Sequence, residues 1–151
     1  MKPIVVAVLL FLSTSSSLAS ESKELTPTQE EIREAFYLSA AARYAIFEIW
    51  KDRGSFPKNR TETGMAQSPE NINSGAVGAL DVFSGIVVVT FSDEAQEALR
   101  GKVIVFEPAI EDGRAIVWRC GVALPAGASD FQPIGANLIP DWCITGVRNA
   151  N

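Results

Sequence analysis

The chain contains no histidine among its 151 residues. This absence excludes Ser–His and Cys–His nucleophile pairs and His-ligated zinc, and it removes the most common general base near neutral pH. The sequence has only two cysteines, which are too few for a four-thiolate metal site. The composition therefore favours a binding or structural protein, and we expect neither enzymatic activity nor a cofactor.

Positive charge is also scarce, with 13 Lys and Arg against 18 Asp and Glu, a net charge of −5. A chain of this charge is not expected to be a general binder of polyphosphates. The hydrophobic share of 47% and the charged share of 21% are typical of a globular protein. Domains usually contain about 100–200 residues, so the length predicts one domain.

The N-terminus has the three-part layout of a secretory signal peptide. Lys2 precedes an apolar stretch, Pro3–Leu12, and Ser17-Leu18-Ala19 provides small residues before a cleavage site. The alternatives are a membrane anchor or a buried strand, but the apolar stretch is shorter than the about 20 residues that span a bilayer. We expect residues 1–19 to be removed. Residues 20–151 would then form a soluble periplasmic or extracellular domain without a membrane span.

Export makes the two cysteines interpretable, because disulfides persist in oxidising compartments. Cys120 and Cys143 are an even pair outside the predicted signal peptide. Two reduced thiols are the alternative, and they fit an oxidising compartment poorly. A redox pair would more often have Cys-x-x-Cys spacing, so the sequence predicts a structural disulfide.

The first part of the domain has the signature of one long helix. Thr26-Pro27-Thr28-Gln29 provides an N-cap, a proline suited to the first turn and a capping box. Apolar residues follow at the 3–4 spacing of a buried face. This stripe, which we expect in the core, comprises Ile32, Ala35/Phe36, Ala42, Ile46 and Ile49/Trp50, widened by Tyr37, Tyr44 and Phe47. Gly54 has the position of a left-handed cap, and Phe56-Pro57 turns the chain away.

The rest of the domain has the sequence pattern of a β-sheet. Segments rich in Val and Ile and bounded by turn residues predict strands; they are Leu80–Phe83, Gly85–Phe91, Lys102–Pro108 and Ala115–Cys120. Asp112-Gly113 is a strong hairpin signal. Consecutive hairpins predict an antiparallel meander of about four strands with one face packed on the helix. The fold class is α+β.

These motifs, in this order, resemble the globular part of a type IV pilin, the subunit of bacterial retractile fibres. The resemblance covers roughly residues 30–145. It rests on Gly54-x-Phe56-Pro57, Gly85–Val89, Leu99-x-Gly101, Trp118-x-Cys120 and Ile139-Pro140-x-x-Cys143. It implies a pilin-like domain in which Trp118 packs against the disulfide. It also implies that the loop between Cys120 and Cys143 corresponds to the variable loop that pilins expose.

The sequence departs from the family at its N-terminus. Pilins begin with an apolar helix that starts Phe-Thr-Leu-x-Glu, and this helix anchors them in the membrane and in the fibre core. Ser20-Glu21-Ser22-Lys23 is polar, and no apolar run follows it. The chain therefore looks like a pilin head that lacks the assembly helix.

Two functions are compatible with these features. The first is an exported pilin-like protein that serves a type IV pilus as a structural, adhesive or accessory component, with other pilins or pilus machinery as partners. The alternative is a small DNA- or glycan-binding protein on the same scaffold. Lys51, Arg53, Lys58 and Arg60 form a basic cluster. Because Asp52 and Glu62 interrupt it, a solvated helix end is the favoured interpretation of this cluster.

Two aromatic residues at the disulfide-bounded loop are candidates for partner binding. Phe131 lies in mid-loop, and Trp142 directly precedes the closing cysteine. Aromatic residues contribute much of the energy at protein interfaces, and loops on a rigid scaffold commonly carry recognition. The alternative is that both rings pack on the domain's own core. We expect this of Trp142, and we expect Phe131 to be the contact residue.

Overall fold

The computed structural model describes residues 24–65 and 75–148. The predicted signal peptide lies outside these residues. Helix α1 spans Pro27–Leu38 and helix α2 spans Ala40–Arg53. The predicted capping box is present, because the Gln29 backbone N–H donates to Thr26 Oγ1 at 3.3 Å and the Thr26 N–H donates to Gln29 Oε1 at 3.1 Å. Gly54 ends α2 in the left-handed conformation, with φ of 69°, as predicted.

The single helix that the sequence predicts is interrupted at Ser39. The backbone carbonyl of Phe36 accepts hydrogen bonds from Ser39 Oγ at 2.7 Å and from Arg43 Nη2 at 2.8 Å. Arg43 Nε also donates to Ser39 Oγ at 3.1 Å. Side chains that insert into the helical hydrogen-bond ladder in this way bend or break helices. The apolar periodicity does not register this effect, because the spacing continues through the break.

The sheet has five antiparallel strands in the order β1-β2-β3-β4-β5. The four long strands, which match the prediction, are β1 Val77–Phe83, β2 Ile86–Phe91, β3 Val103–Glu111 and β4 Ala115–Gly121. The fifth, β5 Val147–Arg148, pairs with β4 and is too short to give a sequence signal. Asp112 and Gly113 form the predicted hairpin turn, with φ of 52° and 64°.

The helices cover one face of the sheet, and the main core lies between them. Strand residues on this face alternate along each strand, as a half-buried sheet requires. Those facing the helices are fully or almost fully buried and include Leu80, Val82, Val87, Val89, Phe91, Ile104, Phe106, Ile116 and Trp118. Phe36 of α1 meets Phe106 edge to face, with ring centroids 5.3 Å apart.

The opposite face of the sheet carries a second, smaller apolar cluster. Val88, Val103 and Val105 form its buried part. The chain after β4 returns across this face, where Leu124 and Phe131 pack on the three valines. Two backbone hydrogen bonds hold it: the Val103 N–H donates to the Gln132 carbonyl at 2.8 Å, and the Ile134 N–H donates to the Val103 carbonyl at 2.9 Å. The C-terminal loop is therefore a packed layer.

The predicted disulfide is present between Cys120 of β4 and Cys143, which lies in the short helix α3, Asp141–Thr145. Trp118 and both cysteines belong to the main core. Pro140 precedes α3 as its N-cap residue. Within residues 24–65 and 75–148, none of the helices combines the length and hydropathy needed to cross a bilayer.

The Gly54-x-Phe56-Pro57 motif is explained by a close contact with the first hairpin. Pro57 is buried, and the Phe56 ring stacks on Trp50 with centroids 6.4 Å apart. Phe56 also lies against Gly85, where an added Cβ would come within 2.6 Å of the phenylalanine Cβ. The motif thus fastens the chain leaving α2 to the turn between β1 and β2.

Candidate interaction surfaces

The two aromatic residues predicted for partner binding lie on opposite sides of the sheet. Trp142 packs on the helix-side core, with its ring 5.4 Å from that of Phe36. Phe131 packs on the outer cluster, edge to face with Phe83 at 6.2 Å. Both side chains are half-buried. The structure therefore does not bring them together into one surface.

Trp142 lines an apolar hollow of about 290 Å³ beside α1. The other lining residues are Leu25, Arg33, Phe36 and Tyr37. Within the described part of the chain, the Trp142 indole Nε1 is buried and has no hydrogen-bond partner. The indole thus offers this hollow an apolar surface.

The outward side of the helices carries two tyrosines that the periodicity had placed in the core. Tyr37 is 65% exposed and Tyr44 is 64% exposed. They lie seven residues apart on the two sides of the break at Ser39, and the exposed Ala40 and Ala41 lie between them in sequence. The prediction was wrong for these two residues, because the helix already buries its opposite face on the sheet. We call Tyr37, Ala40, Ala41 and Tyr44 the tyrosine stripe.

The basic cluster suggested by the sequence does not form one surface. Arg60 is only 4% exposed and donates a hydrogen bond to the backbone carbonyl of Leu80 in β1. It starts a short 3-10 helix, Arg60–Thr63. Lys51, Arg53 and Lys58 remain exposed. One of the four cations is therefore a structural residue that ties this segment to the sheet.

A second hollow, of about 370 Å³, lies at the C-terminal end of α2. We call it the cationic hollow; it is lined by Phe47, Trp50, Lys51, Gly54, Gly113 and Arg114. Lys51 Nζ lies 5.9 Å from the centroid of the Phe47 ring, within range of a cation–π contact. Sequence reasoning missed Arg114, because only the β3–β4 hairpin brings it beside a helix that ends 61 residues earlier (114 − 53).

The opposite end of the helix pair is acidic. Glu30, Glu31 and Glu34 lie in the first turns of α1. The Gln96 backbone N–H donates to Glu31 Oε2 at 2.8 Å. This hydrogen bond places the turn after β2 beside α1 and adds its exposed carboxylates, those of Asp93, Glu94 and Glu97. We call these six residues the acidic end.

Arg43 is the one arginine that the helices bury against the aromatic core. It is 6% exposed, and its guanidinium carbon lies 3.6 Å from the Phe36 ring centroid. Burial lowers the pKa of the Arg43 guanidinium to about 10. The side chain is still protonated at neutral pH. The guanidinium donates hydrogen bonds to Ser39 Oγ and to the Phe36 carbonyl, so Arg43 takes part in the helix break.

Comparisons with known proteins place this architecture in a family. The pilin family, described as a bacterial filament family, matches residues 31–144. The chain is 26% identical over 121 residues to type IV major pilin protein PilE1 of Neisseria gonorrhoeae, covering 75% of this chain and 73% of that protein. It is 28% identical over 92 residues to a fimbrial protein of Neisseria meningitidis serogroup A, covering 60% of this chain and 53% of that protein.

The chain therefore belongs to the pilin family. The helix-on-sheet architecture and the C-terminal disulfide are consistent with that fold. A further match, to another type IV major pilin protein PilE1 of N. gonorrhoeae, is 27% identical and covers 56% of the relative. The alignments to the second and third of these relatives thus span little more than half of their length.

Proposed function

We propose that this chain is a component of a type IV pilus that acts by contact with other pilins or with pilus machinery. The observation that carries the proposal is the pilin family match, which covers most of α1, all of α2 and all four long strands. The similar proteins are named as major pilins and a fimbrial protein. The family is a structural one, so the proposed role requires no catalysis.

The tyrosine stripe supports contact with another protein. Two large exposed aromatic side chains, with two exposed alanines between them in sequence, have little side-chain entropy to lose on binding. Tyrosine is also enriched at the energetic centres of interfaces. The sheet occupies the other side of the helices. The stripe is thus the face of the helix pair that is open to a partner.

The finer role that we propose is a structural or adhesive one, with export by cleavage after Ala19. A cleaved signal peptide would place the protein in the periplasm or outside the cell, where the disulfide persists. N-terminal sequencing of the exported protein should begin at Ser20. Recovery of the intact chain from detergent-extracted membranes would contradict this processing.

The pilus assignment is tested by fractionation of cells into cytoplasm, periplasm, membrane and sheared fibres. We expect the chain in the sheared fibres, and we expect Tyr37→Ala with Tyr44→Ala to remove it from them. Ile110→Ser is the matched control, because Ile110 is also exposed, at 49%, but lies on the β3–β4 hairpin. Absence of the wild-type chain from fibres in cells that bear pili would refute the assignment.

DNA or glycan binding is the second candidate. The observation in its favour is the cationic hollow, because aromatic rings beside cations are typical of sites that bind single-stranded nucleic acid. The inward orientation of Arg60 weighs against it. Titration with a single-stranded oligonucleotide at several salt concentrations tests it, since phosphate contacts give a steep loss of affinity with salt.

A further inference from the structure

We infer that the cationic hollow receives the acidic end of a second copy of this chain, so that copies contact each other head to tail. This inference rests on the proposed function, because it specifies one contact through which a pilus component would meet its own kind. It concerns two surfaces that the family match alone does not relate to each other.

The hollow has the chemistry of a receptor for an acidic and aromatic group. Phe47 and Trp50 form its apolar wall, with ring centroids 6.3 Å apart. Both charged residues that line it, Lys51 and Arg114, are cations. The two glycines of its rim leave space, because a Cβ at either position would meet nothing within 4 Å. An aromatic ring and a carboxylate of a partner can therefore enter the hollow together.

The acidic end and the adjoining Tyr37 together present such a group. Tyr37 is largely exposed and lines a hollow of about 440 Å³ together with three carboxylates, Glu30, Glu31 and Glu34. Arg33 is the one cation in this lining, and it pairs with Glu30 on the same helix. The turn after β2 adds three further carboxylates nearby. The surface thus combines an aromatic ring with an excess of negative charge, which complements the cationic hollow.

The geometry requires two copies. Glu30 and Lys51 lie near opposite ends of the helix pair, roughly 30 Å apart at a rise of about 1.5 Å per residue. One molecule therefore cannot close this contact on itself. A contact between two different surfaces of identical copies is heterologous. If the rotation that relates successive copies does not close them into a ring, the contact generates a linear array. Such an array is what a filament component needs.

Charge argues for a protein occupant rather than nucleic acid. The chain has a net charge of −5, which repels a polyanion. Exposed carboxylates of Asp52 and Asp112 also adjoin the lining residues in sequence. The acidic end of a second copy carries its carboxylates in one place and can align them with Lys51 and Arg114, whereas a polyanion carries charge along its whole length.

The test is sedimentation equilibrium of the exported, purified full chain at concentrations up to about 1 mM, the range in which a weak contact is populated. The weight-average mass of the wild type should rise with concentration and fall with added salt. Lys51→Glu with Arg114→Glu should weaken self-association at least about tenfold. Glu30→Lys with Glu34→Lys should weaken it by a similar factor.

An equimolar mixture of the two double variants should regain the association of the wild type, because each reversed surface then faces one of opposite charge. The matched control is Arg53→Glu with Lys58→Glu, which makes the same change in net charge on exposed residues outside the hollow. It should associate as the wild type does. Melting curves verify that each variant is folded, and Lys51→Gln with Arg114→Gln replaces any hollow variant that is not.

A wild type that remains monomeric at about 1 mM would overturn the inference. So would a mixture that fails to recover, or a control that loses as much association as the hollow variant. If the hollow variant loses oligonucleotide binding but still self-associates, the hollow is a nucleic-acid site. Fibre fractions distinguish failure of this inference from failure of the proposed function. If the hollow variant is present in sheared fibres at the wild-type level, the proposed contact is not needed for the fibre, and the pilus assignment is unaffected.

Discussion

The two faces of the sheet are covered in different ways. On one face, two helices bury a continuous core that includes Trp118, Phe106 and Phe36. On the other, three valines are covered by a single pass of irregular chain. The packing on the first face involves many side chains from both helices and the strands. The packing on the second involves a few apolar contacts and two backbone hydrogen bonds at Val103.

This difference predicts which residues tolerate substitution and which do not. Changes in the helix-side core affect every strand and both helices, and they should be costly. The outer layer adds burial to a sheet that the helices already hold, so its residues can be exchanged at smaller cost. A surface loop anchored in this way can carry recognition without endangering the fold.

The largest effect is expected on the helix side, from Trp118→Ala. The indole is fully buried among core residues, and removal of such a side chain costs about 3–5 kcal/mol in the free energy of unfolding. Urea denaturation should show this loss. To compare the faces at equal side-chain size, Val89→Ala on the helix side and Val105→Ala on the outer face form the matched pair, since both valines are fully buried, and Val105→Ala should cost clearly less than Val89→Ala. If the two valine variants lose equal stability, the two faces are equivalent and the comparison fails.

The second prediction concerns the disulfide that joins β4 to α3. Cys120→Ser should cost about 2–5 kcal/mol, the usual loss for a small secreted domain. Since domains are stable by only about 5–15 kcal/mol, the yield of folded protein should fall. Ser129→Ala, an exposed change in the enclosed loop, is the control. Two free thiols in the denatured wild type would show that the pair is not oxidised in the cell.

The third prediction concerns Phe131 on the outer face. The sequence favoured a ring that contacts a partner and contributes little to stability, but the ring is half-buried on Val88, Val103 and Val105. We therefore expect Phe131→Ala to lower the free energy of unfolding by about 1–2 kcal/mol, part of the value of a fully buried ring. Thermal melting measures this loss, and Phe131→Leu should recover most of it.

Partner binding by Phe131 remains a proposal that the same variants test. Fibre association, corrected for the folded fraction, should weaken by about 1 kcal/mol or more in Phe131→Ala if the ring is an interface hot spot. Trp142→Ala should instead act through stability, because its ring packs on Phe36. Unchanged association of folded Phe131→Ala would place recognition elsewhere on the molecule.

The sequence predicted the elements whose signals are local. The capping box at Thr26, the cap at Gly54 and the hairpin at Asp112-Gly113 depend on neighbouring residues, and the structure confirms each of them. The four long strands also follow from local composition. These signals gave the fold class and, through the order of the motifs, the resemblance to pilins.

The remaining features depend on contacts between distant residues. The inward turn of Arg60 requires the carbonyl of Leu80, and the cationic hollow requires Arg114 from a distant hairpin. The exposure of Tyr37 depends on which side of the helix the sheet occupies. Periodicity alone cannot supply this information, because a tyrosine is compatible with either side of an amphipathic helix.

The fourth prediction tests the break at Ser39 between α1 and α2. This break belongs to the side of the sheet that the two helices cover. Ser39→Ala removes the hydroxyl that donates to the Phe36 carbonyl and accepts from Arg43 Nε. Loss of these buried hydrogen bonds should cost about 1–3 kcal/mol, because it leaves a buried donor unsatisfied. Urea denaturation checks the loss, with exposed Ala41→Ser as the control. A stabilised Ser39→Ala would show that the break is a cost to the fold.

The smallest expected effect is at the turn between β1 and β2. Ser84 and Gly85 have φ of 51° and 82°, so both central residues adopt the left-handed conformation of the favoured hairpin turn. Asparagine tolerates this conformation better than serine does. Because Ser84 is exposed, Ser84→Asn should raise the free energy of unfolding by about 0.5 kcal/mol, a fraction of the left-handed penalty. Gly85→Ala is the contrasting change and should destabilise, because its Cβ would meet Phe56 at 2.6 Å. Thermal melting should show a higher Tm for Ser84→Asn and a lower Tm for Gly85→Ala. A destabilised Ser84→Asn would mean that the turn constrains residue 84 through contacts other than its backbone conformation.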